Sequence, residues 1–283
     1  MGEIMSKKII FLDVDGTLVN DNGIVPESAI KAIKEARKNE HLVFLCTGRS
    51  KAEIYQNILN IGFDGMICAA GGYIEYKGEV IFHENVKEED AKHVLDYFTK
   101  NNIDFYFESN SGLFASKNLK KHLENILFND ESLSENDRKE REKGTRPFLD
   151  ALKEGENLLR KDINKISFIE SKIPFKEIER EFSDRFTVIP CTVPAFGKES
   201  GELSIPNIHK ATSIDILLKY LKVENKETFA YGDGLNDMEM LEYVNIGVAM
   251  GNAKQKLKEI ADDITGTPDE NGIYNSFLKY KII

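Results

Sequence analysis

Two carboxylates stand two residues apart in Asp13-Val14-Asp15-Gly16-Thr17, directly after the apolar run 9–12. Ligands of open α/β sheets bind at the carboxyl ends of strands, so an acidic pair where a strand ends can reach that crevice. Gly16 lets the chain turn away at once. A calcium loop is excluded: it needs an acid or Asn at 17 and Gly at 18, and the residues are Thr17 and Leu18. A second acidic group, Gly232-Asp233-Gly234-Leu235-Asn236-Asp237, follows the apolar run 229–231. Taken alone it also reads as a turn; its pairing with 13–17 gives it chemistry. If the two strands are parallel neighbours, three or four carboxylates converge, and they cannot all stay ionised without compensation. A hard divalent cation supplies it, and Mg2+ suits a few carboxylates, water and a phosphate oxygen.

Two further signals concern an anion. Thr47-Gly48-Arg49-Ser50 ends one strand-like run and begins a helical pattern. A hydroxyl, a glycine amide and a helix N-terminus together make an anion seat, although a plain N-cap has the same composition. Lys210 opens another helical pattern, where a cation opposes the helix dipole; an anionic partner would explain it. No Ser or Cys nucleophile motif accompanies any histidine, and His209 reads as a surface residue.

These residues need elements to hold them. Residues 8–12, 41–47 and 65–70 read as buried strands, 28–38 and 50–62 as helices, and 73–76 with 79–82 as a hairpin about Lys77-Gly78. Strands spaced by such helices imply parallel βαβ units. The middle of the chain differs. Residues 88–99 and 117–128 read as helices, and 104–107 and 113–116 as strands joined by Ser109-Asn110-Ser111-Gly112. Residues 130–146 mix acids and bases and read as a solvated helix or mobile loop. Strands at 165–170 and 186–189, and a helix after Pro174, continue an α+β pattern. Pro190, Pro194, Gly197 and Gly201 mark a return linker. Alternation then resumes: strand 202–205, helix 210–221, strands 228–231 and 245–250, helix 253–260. The expected fold is α/β, a Rossmann-like parallel-sheet core of residues 1–83 and 200–283 with an α+β domain, 84–199, inserted.

Composition narrows the function classes. The 283 residues carry 48 acids against 38 Lys plus Arg, a net charge of −10, with 41 % hydrophobic and 30 % charged residues. That is a soluble globular balance without the basic face a nucleic-acid binder needs. The apolar runs are too short for a membrane span or a signal peptide's core, so no membrane partner and a cytoplasmic location are expected. Cys46, Cys68 and Cys191 form no CxxC and read as reduced thiols. The start Met1-Gly2-Glu3-Ile4-Met5-Ser6 nominally fits a myristoylation pattern, which is discounted because no polybasic second signal follows. Nothing in the sequence sets an oligomeric state.

Asp13-Val14-Asp15-Gly16-Thr17-Leu18, Thr47-Gly48-Arg49, Lys210 and Gly232-Asp233-Gly234-Leu235-Asn236-Asp237, in that order, resemble the four motifs of the haloacid dehalogenase (HAD) superfamily. Val248-Ala249-Met250-Gly251-Asn252-Ala253 and Asp269-Glu270-Asn271-Gly272-Ile273 resemble its Cof-type sugar-phosphatase branch, and the insertion resembles that branch's α/β cap, which serves substrate specificity. Ala70-Gly71 departs from the Asn-Gly often found in the branch. The resemblance implies a Mg2+-dependent phosphatase acting on small phosphorylated metabolites. It implies Asp13 as nucleophile, forming an aspartyl-phosphate, and Asp15 as general acid and base. Mg2+ would be held by Asp13, the backbone carbonyl of Asp15, and Asp233. Thr47, Gly48, Lys210, Asn236 and the Val14 amide would cradle the phosphoryl group, with Asp237 supporting from behind by holding Lys210. A phosphomutase of the same superfamily shares the aspartate pair. A phosphate-sensing protein without turnover is a third reading, and it has no need of a general acid at Asp15.

Overall fold

Short runs of consecutive apolar residues form strands covered on both faces, and that is how parallel sheets read in sequence. The computed structural model describes residues 7–128, 134–191 and 193–283. In chain order the strands are β1 (Ile9–Leu12), β2 (Leu42–Cys46), β3 (Gly65–Cys68), β4 (Tyr73–Tyr76), β5 (Glu79–His83), β6 (Asp104–Ser109), β7 (Gly112–Ala115), β8 (Leu152–Glu154), β9 (Lys165–Ile169), β10 (Thr187–Pro190), β11 (Gly201–Ser204), β12 (Thr228–Gly232), β13 (Ile246–Ala249) and β14 (Asp263–Ile264). The α-helices are α1 (Glu27–Lys38), α2 (Gln56–Leu59), α3 (Glu88–Lys100), α4 (Leu119–Phe128), α5 (Glu135–Ala151), α6 (Phe175–Phe182), α7 (Lys210–Leu221), α8 (Met238–Tyr243), α9 (Gln255–Ile260) and α10 (Gly272–Lys279). The chain forms two units, one holding residues 7–49, Ile54–His83 and Ile208–Ile283, the other Ser50–Glu53 and the described residues of Glu84–Asn207.

The first unit is built on an eight-stranded sheet in the order β14-β13-β12-β1-β2-β3-β4-β5. Neighbours run parallel from β14 to β3, as the sequence implies; β4 and β5 close the edge antiparallel. Their hairpin turns at Lys77 and Gly78, both at positive φ (49° and 84°), the geometry of a tight two-residue turn. All four side chains of β1 are buried. Ile10 and Leu12 pack with Ala29 and Ile33 of α1 and Phe277 of α10. Ile9 and Phe11 belong to the opposite layer, with Ile214 and Leu217 of α7 and Met240 of α8. The chain runs from β1 to β2 on one side and places β12 on the other, so the strand order reverses at β1. Loops leaving β1, β2 and β12 therefore border one crevice, the usual ligand position in such sheets.

The second unit carries a six-stranded sheet in the order β10-β11-β9-β6-β7-β8. It is antiparallel except for the β7–β8 pair. On one face Phe105, Phe107, Ile166 and Phe168 pack with Phe98 of α3 and Phe182 of α6. On the other, Leu113 and Ala115 pack with Leu119 and Leu123 of α4 and Leu149 of α5.

The structure differs from the sequence expectation in three places. Residues 200–207, expected in the parallel core, belong to the second unit: β11 pairs with β9 and β10. A four-residue strand carries no sequence sign of which sheet it joins. No continuous helix spans 50–62. Glu53 folds back so that its carboxylate accepts from Ser50 N at 2.8 Å, residues 51–53 form a single 3-10 turn, and Tyr55 is extended. The charge-rich stretch is helical from Glu135 onward: α5 is supported by the i,i+4 pairs Glu135–Lys139 and Glu142–Arg146. Its residues 130–133 lie outside the described residues, as does the 1–6 myristoylation pattern. All three cysteines are thiols, with Cys46 and Cys68 buried. No helix among the described residues is long and apolar enough to cross a membrane.

Candidate active site

The main chain of Asp13 continues the sheet, its N–H donating to the Tyr231 carbonyl at 3.0 Å. This fixes the end of β1 beside the end of β12 and brings the two acidic segments together. The chain then turns sharply: Leu18 N and Val19 N both donate to the Val14 carbonyl, and Gly16 N donates to the Val19 carbonyl. Gly16 has φ +75°, and a Cβ there would stand 2.3 Å from Asp233 Oδ2. Only glycine allows this approach between the two loops.

Lys210, the first residue of α7, lies between two carboxylates. Its Nζ donates to Asp13 Oδ1 at 2.6 Å and to Asp237 Oδ1 at 2.5 Å. All three side chains are buried, Lys210 to 2 % exposure and Asp237 to zero. The anionic partner expected for a lysine at a helix start is thus present twice. The helix start is itself held by Ser213, whose hydroxyl donates to the Gly71 carbonyl at 2.6 Å. The second oxygen of Asp237 accepts from the amides of Asp233 and Gly234, both at 3.0 Å. Asp237 therefore shapes its own loop and holds the ammonium. Asp233, half-buried, accepts from the Thr17 hydroxyl at 3.0 Å.

Carboxylate oxygens of Asp13, Asp233 and Asp237 lie within 4.8 Å of one another. One ammonium cannot balance three carboxylates. Burial pushes the Asp13 carboxyl up to about 8, against the opposing pull of Lys210. Burial, with Asp237 nearby, pushes Asp233 up to about 6. Burial opposes the charge on Lys210, but Asp13 and Asp237 outweigh it and hold the ammonium above its ordinary value. Hard oxygen donors, pre-aimed by Thr17 and by backbone amides and short of positive charge, fit a hard divalent cation.

The Asp15 side chain is not in this cluster. It is 60 % exposed and meets Arg49 at two points, Nε to Oδ2 at 2.8 Å and Nη2 to Oδ1 at 2.6 Å. Arg49 sits in the second motif, yet nothing in the sequence named its partner. Thr47 is buried, and its hydroxyl accepts from Arg49 N at 3.2 Å. The nearest atom to a Cβ built at Gly48 would be Asn236 Nδ2, at 3.9 Å, so the loops after β2 and β12 also meet. Asn236 is exposed and Val14 buried. The loop after β3 supports this group: Ala69 N donates to the Arg49 carbonyl and Ala70 N to the Thr47 carbonyl. Ala69 and Ala70 both have φ 53°, a left-handed conformation that Asn tolerates better than Ala. That is a physical reason for Asn at position 70 in the branch this chain resembles.

The sequence model of the haloacid dehalogenase-like hydrolases matches residues 10–277, nearly the whole chain. The chain belongs to that family. Among its relatives, YkrA of Bacillus subtilis (strain 168) is 28 % identical over 273 residues, covering 95 % of this chain and 96 % of YkrA. The phosphatase YwpJ of the same organism is 26 % identical over 281 residues, covering 94 % and 97 %. A solved HAD subclass IIB sugar phosphatase superposes with a TM-score of 0.73 at 25 % identity, covering 98 % of this chain and 100 % of that one. The chain is an enzyme of this hydrolase family, a phosphatase.

Proposed function

We propose that the enzyme is a Mg2+-dependent phosphatase of small phosphomonoesters, sugar phosphates or related metabolites, working in the cytoplasm through an aspartyl-phosphate on Asp13. The observation that carries this reading is the buried Asp13–Lys210–Asp237 array beside Asp233, at the ends of two neighbouring parallel strands. An Asp13 oxygen attacks phosphorus, an O–P bond forms, and the ester P–O bond breaks. Asp15 gives its proton to the departing alcohol. Water, deprotonated by Asp15, then attacks the phosphorus of the acyl phosphate, releasing inorganic phosphate and restoring Asp13. Lys210 offsets the repulsion between the carboxylate and the phosphate dianion. Thr47, Gly48, Asn236 and the Val14 amide complete the phosphate seat, and Asp237 keeps Lys210 in place.

Asp13, Asp233 and the Asp15 carbonyl would hold Mg2+, which supplies charge neutralisation for the entering phosphate. The second unit supplies selectivity among esters. The three thiols accord with a reducing compartment. Purified enzyme with Mg2+ should release nitrophenol from p-nitrophenyl phosphate, and Asp13→Asn should abolish it. Full activity in that variant, or none in the wild type across a panel of phosphate esters, overturns the proposal. The same panel assigns the substrate.

A further inference from the structure

The segment around Asn252 marks the family resemblance but takes no part in the chemistry above. Its loop, after β13, is pinned on several sides. Met250 N donates to the Gly232 carbonyl and Lys254 N to the Asp233 carbonyl, both at 3.0 Å. Gly251 N donates to the Gly266 carbonyl at 3.2 Å, and Lys258 Nζ to the Gly251 carbonyl at 2.6 Å. From this held loop Asn252 Nδ2 donates to the Gly16 carbonyl at 2.8 Å.

Strand pairing stops at Asp13 and Gly232, so it does not set how the loops beyond them meet. Side-chain hydrogen bonds do: Thr17 to Asp233, Lys210 to both Asp13 and Asp237, and Asn252 to the Gly16 carbonyl. The residue whose carbonyl Asn252 grips, Gly16, directly follows Asp15. Asn252 is itself carried by a loop bonded to the main chain of Asp233. It therefore ties the loop of Asp13 and Asp15 to that of Asp233 from outside the charged cluster.

We propose that Asn252 is a positioning residue that keeps the two halves of the cation site in register. This rests on the Mg2+ reading above. Since Asn252 is exposed, its side chain is not needed to fill a core, and its loss should be read at the cation rather than in folding. The test is calorimetric titration of Mg2+ into metal-free protein without substrate, for wild type, Asn252→Ala and Asn252→Leu, the last keeping the volume but not the amide. One lost hydrogen bond should weaken Mg2+ binding about three- to tenfold in both variants. The Mg2+ concentration for half-maximal activity should rise by the same factor, and the melting temperature in chelator should stay at the wild-type value. Wild-type affinity in both variants overturns the inference, as does a lowered melting temperature in chelator with no change in Mg2+ binding. A wild type that binds no Mg2+ overturns the cation reading itself, a result distinct from either.

Discussion

Arg49 and Asp15, 34 residues apart in sequence, form a two-point ion pair with 2.6 Å and 2.8 Å contacts. A planar guanidinium holding both oxygens fixes the plane of the carboxyl as well as its position. If Asp15 protonates the leaving alcohol, that orientation matters most when the leaving group cannot depart as a stable anion. Asp15→Asn should therefore cost about 10²–10⁴ in kcat/KM on an alkyl phosphate and far less on p-nitrophenyl phosphate, because kcat/KM ends at leaving-group departure, before the hydrolysis step that both substrates share. Arg49→Ala should show the same selectivity at about tenfold. Equal losses of kcat/KM on both substrates, measured at saturating Mg2+, would place Asp15 and Arg49 outside proton transfer to the leaving group.

Much of this site was legible because its residues are local to strand ends. Asp13, Asp15, Asp233 and Asp237 each follow a short apolar run, and periodicity finds such runs. Lys210 was legible because a cation at a helix start is a local misfit. The Asp15–Arg49 pair was not, since neither residue's neighbourhood names the other. Nor was the reach of Asn252 to Gly16, which depends on loops from two different strands. The helix expected over 50–62 failed for a similar reason. Its apolar spacing is helical, but Glu53 caps Ser50 and tightens the first turn, and the extended Tyr55 interrupts the rest. The boundary at 200 was misplaced because strand pattern does not reveal pairing partners.

Lys210 is the sole ammonium bonded to two buried carboxylates among the described residues of this site. Removing it leaves Asp13 and Asp237 facing each other in a desolvated space. Lys210→Met should destabilise the metal-free protein by about 3–5 kcal/mol and abolish phosphatase activity. Adding Asp237→Asn to that variant should recover part of the stability and none of the activity. Calorimetric melting and a phosphate-release assay check both halves; a Lys210→Met protein as stable as wild type contradicts the charge assignment.

The raised carboxyl groups predict how the cation site responds to pH. Asp13 titrates near 8 and Asp233 near 6 in the metal-free fold, while an unfolded chain loses both protons near 4. Between these limits the folded state binds more protons than the unfolded one. These groups therefore make the metal-free protein less stable as pH rises from about 4 to about 8. Mg2+ must displace those protons, so its affinity should rise about tenfold per pH unit between 6 and 8, with about one proton released per ion at pH 7. Its stabilising effect should accordingly be larger at pH 8 than at pH 6. Titrations in buffers of different ionisation enthalpy count the protons. An affinity independent of pH across this range contradicts the shifts.

The covalent step on Asp13 is tested most directly by trapping it. Enzyme with Mg2+ and a radiolabelled phosphomonoester, quenched in acid within the first turnover and digested, should yield label on the peptide containing Asp13. Borohydride should convert that aspartyl residue to homoserine, and Asp13→Asn should carry no label. Rapid phosphate release with no label on Asp13, or with label on another residue, would contradict the account.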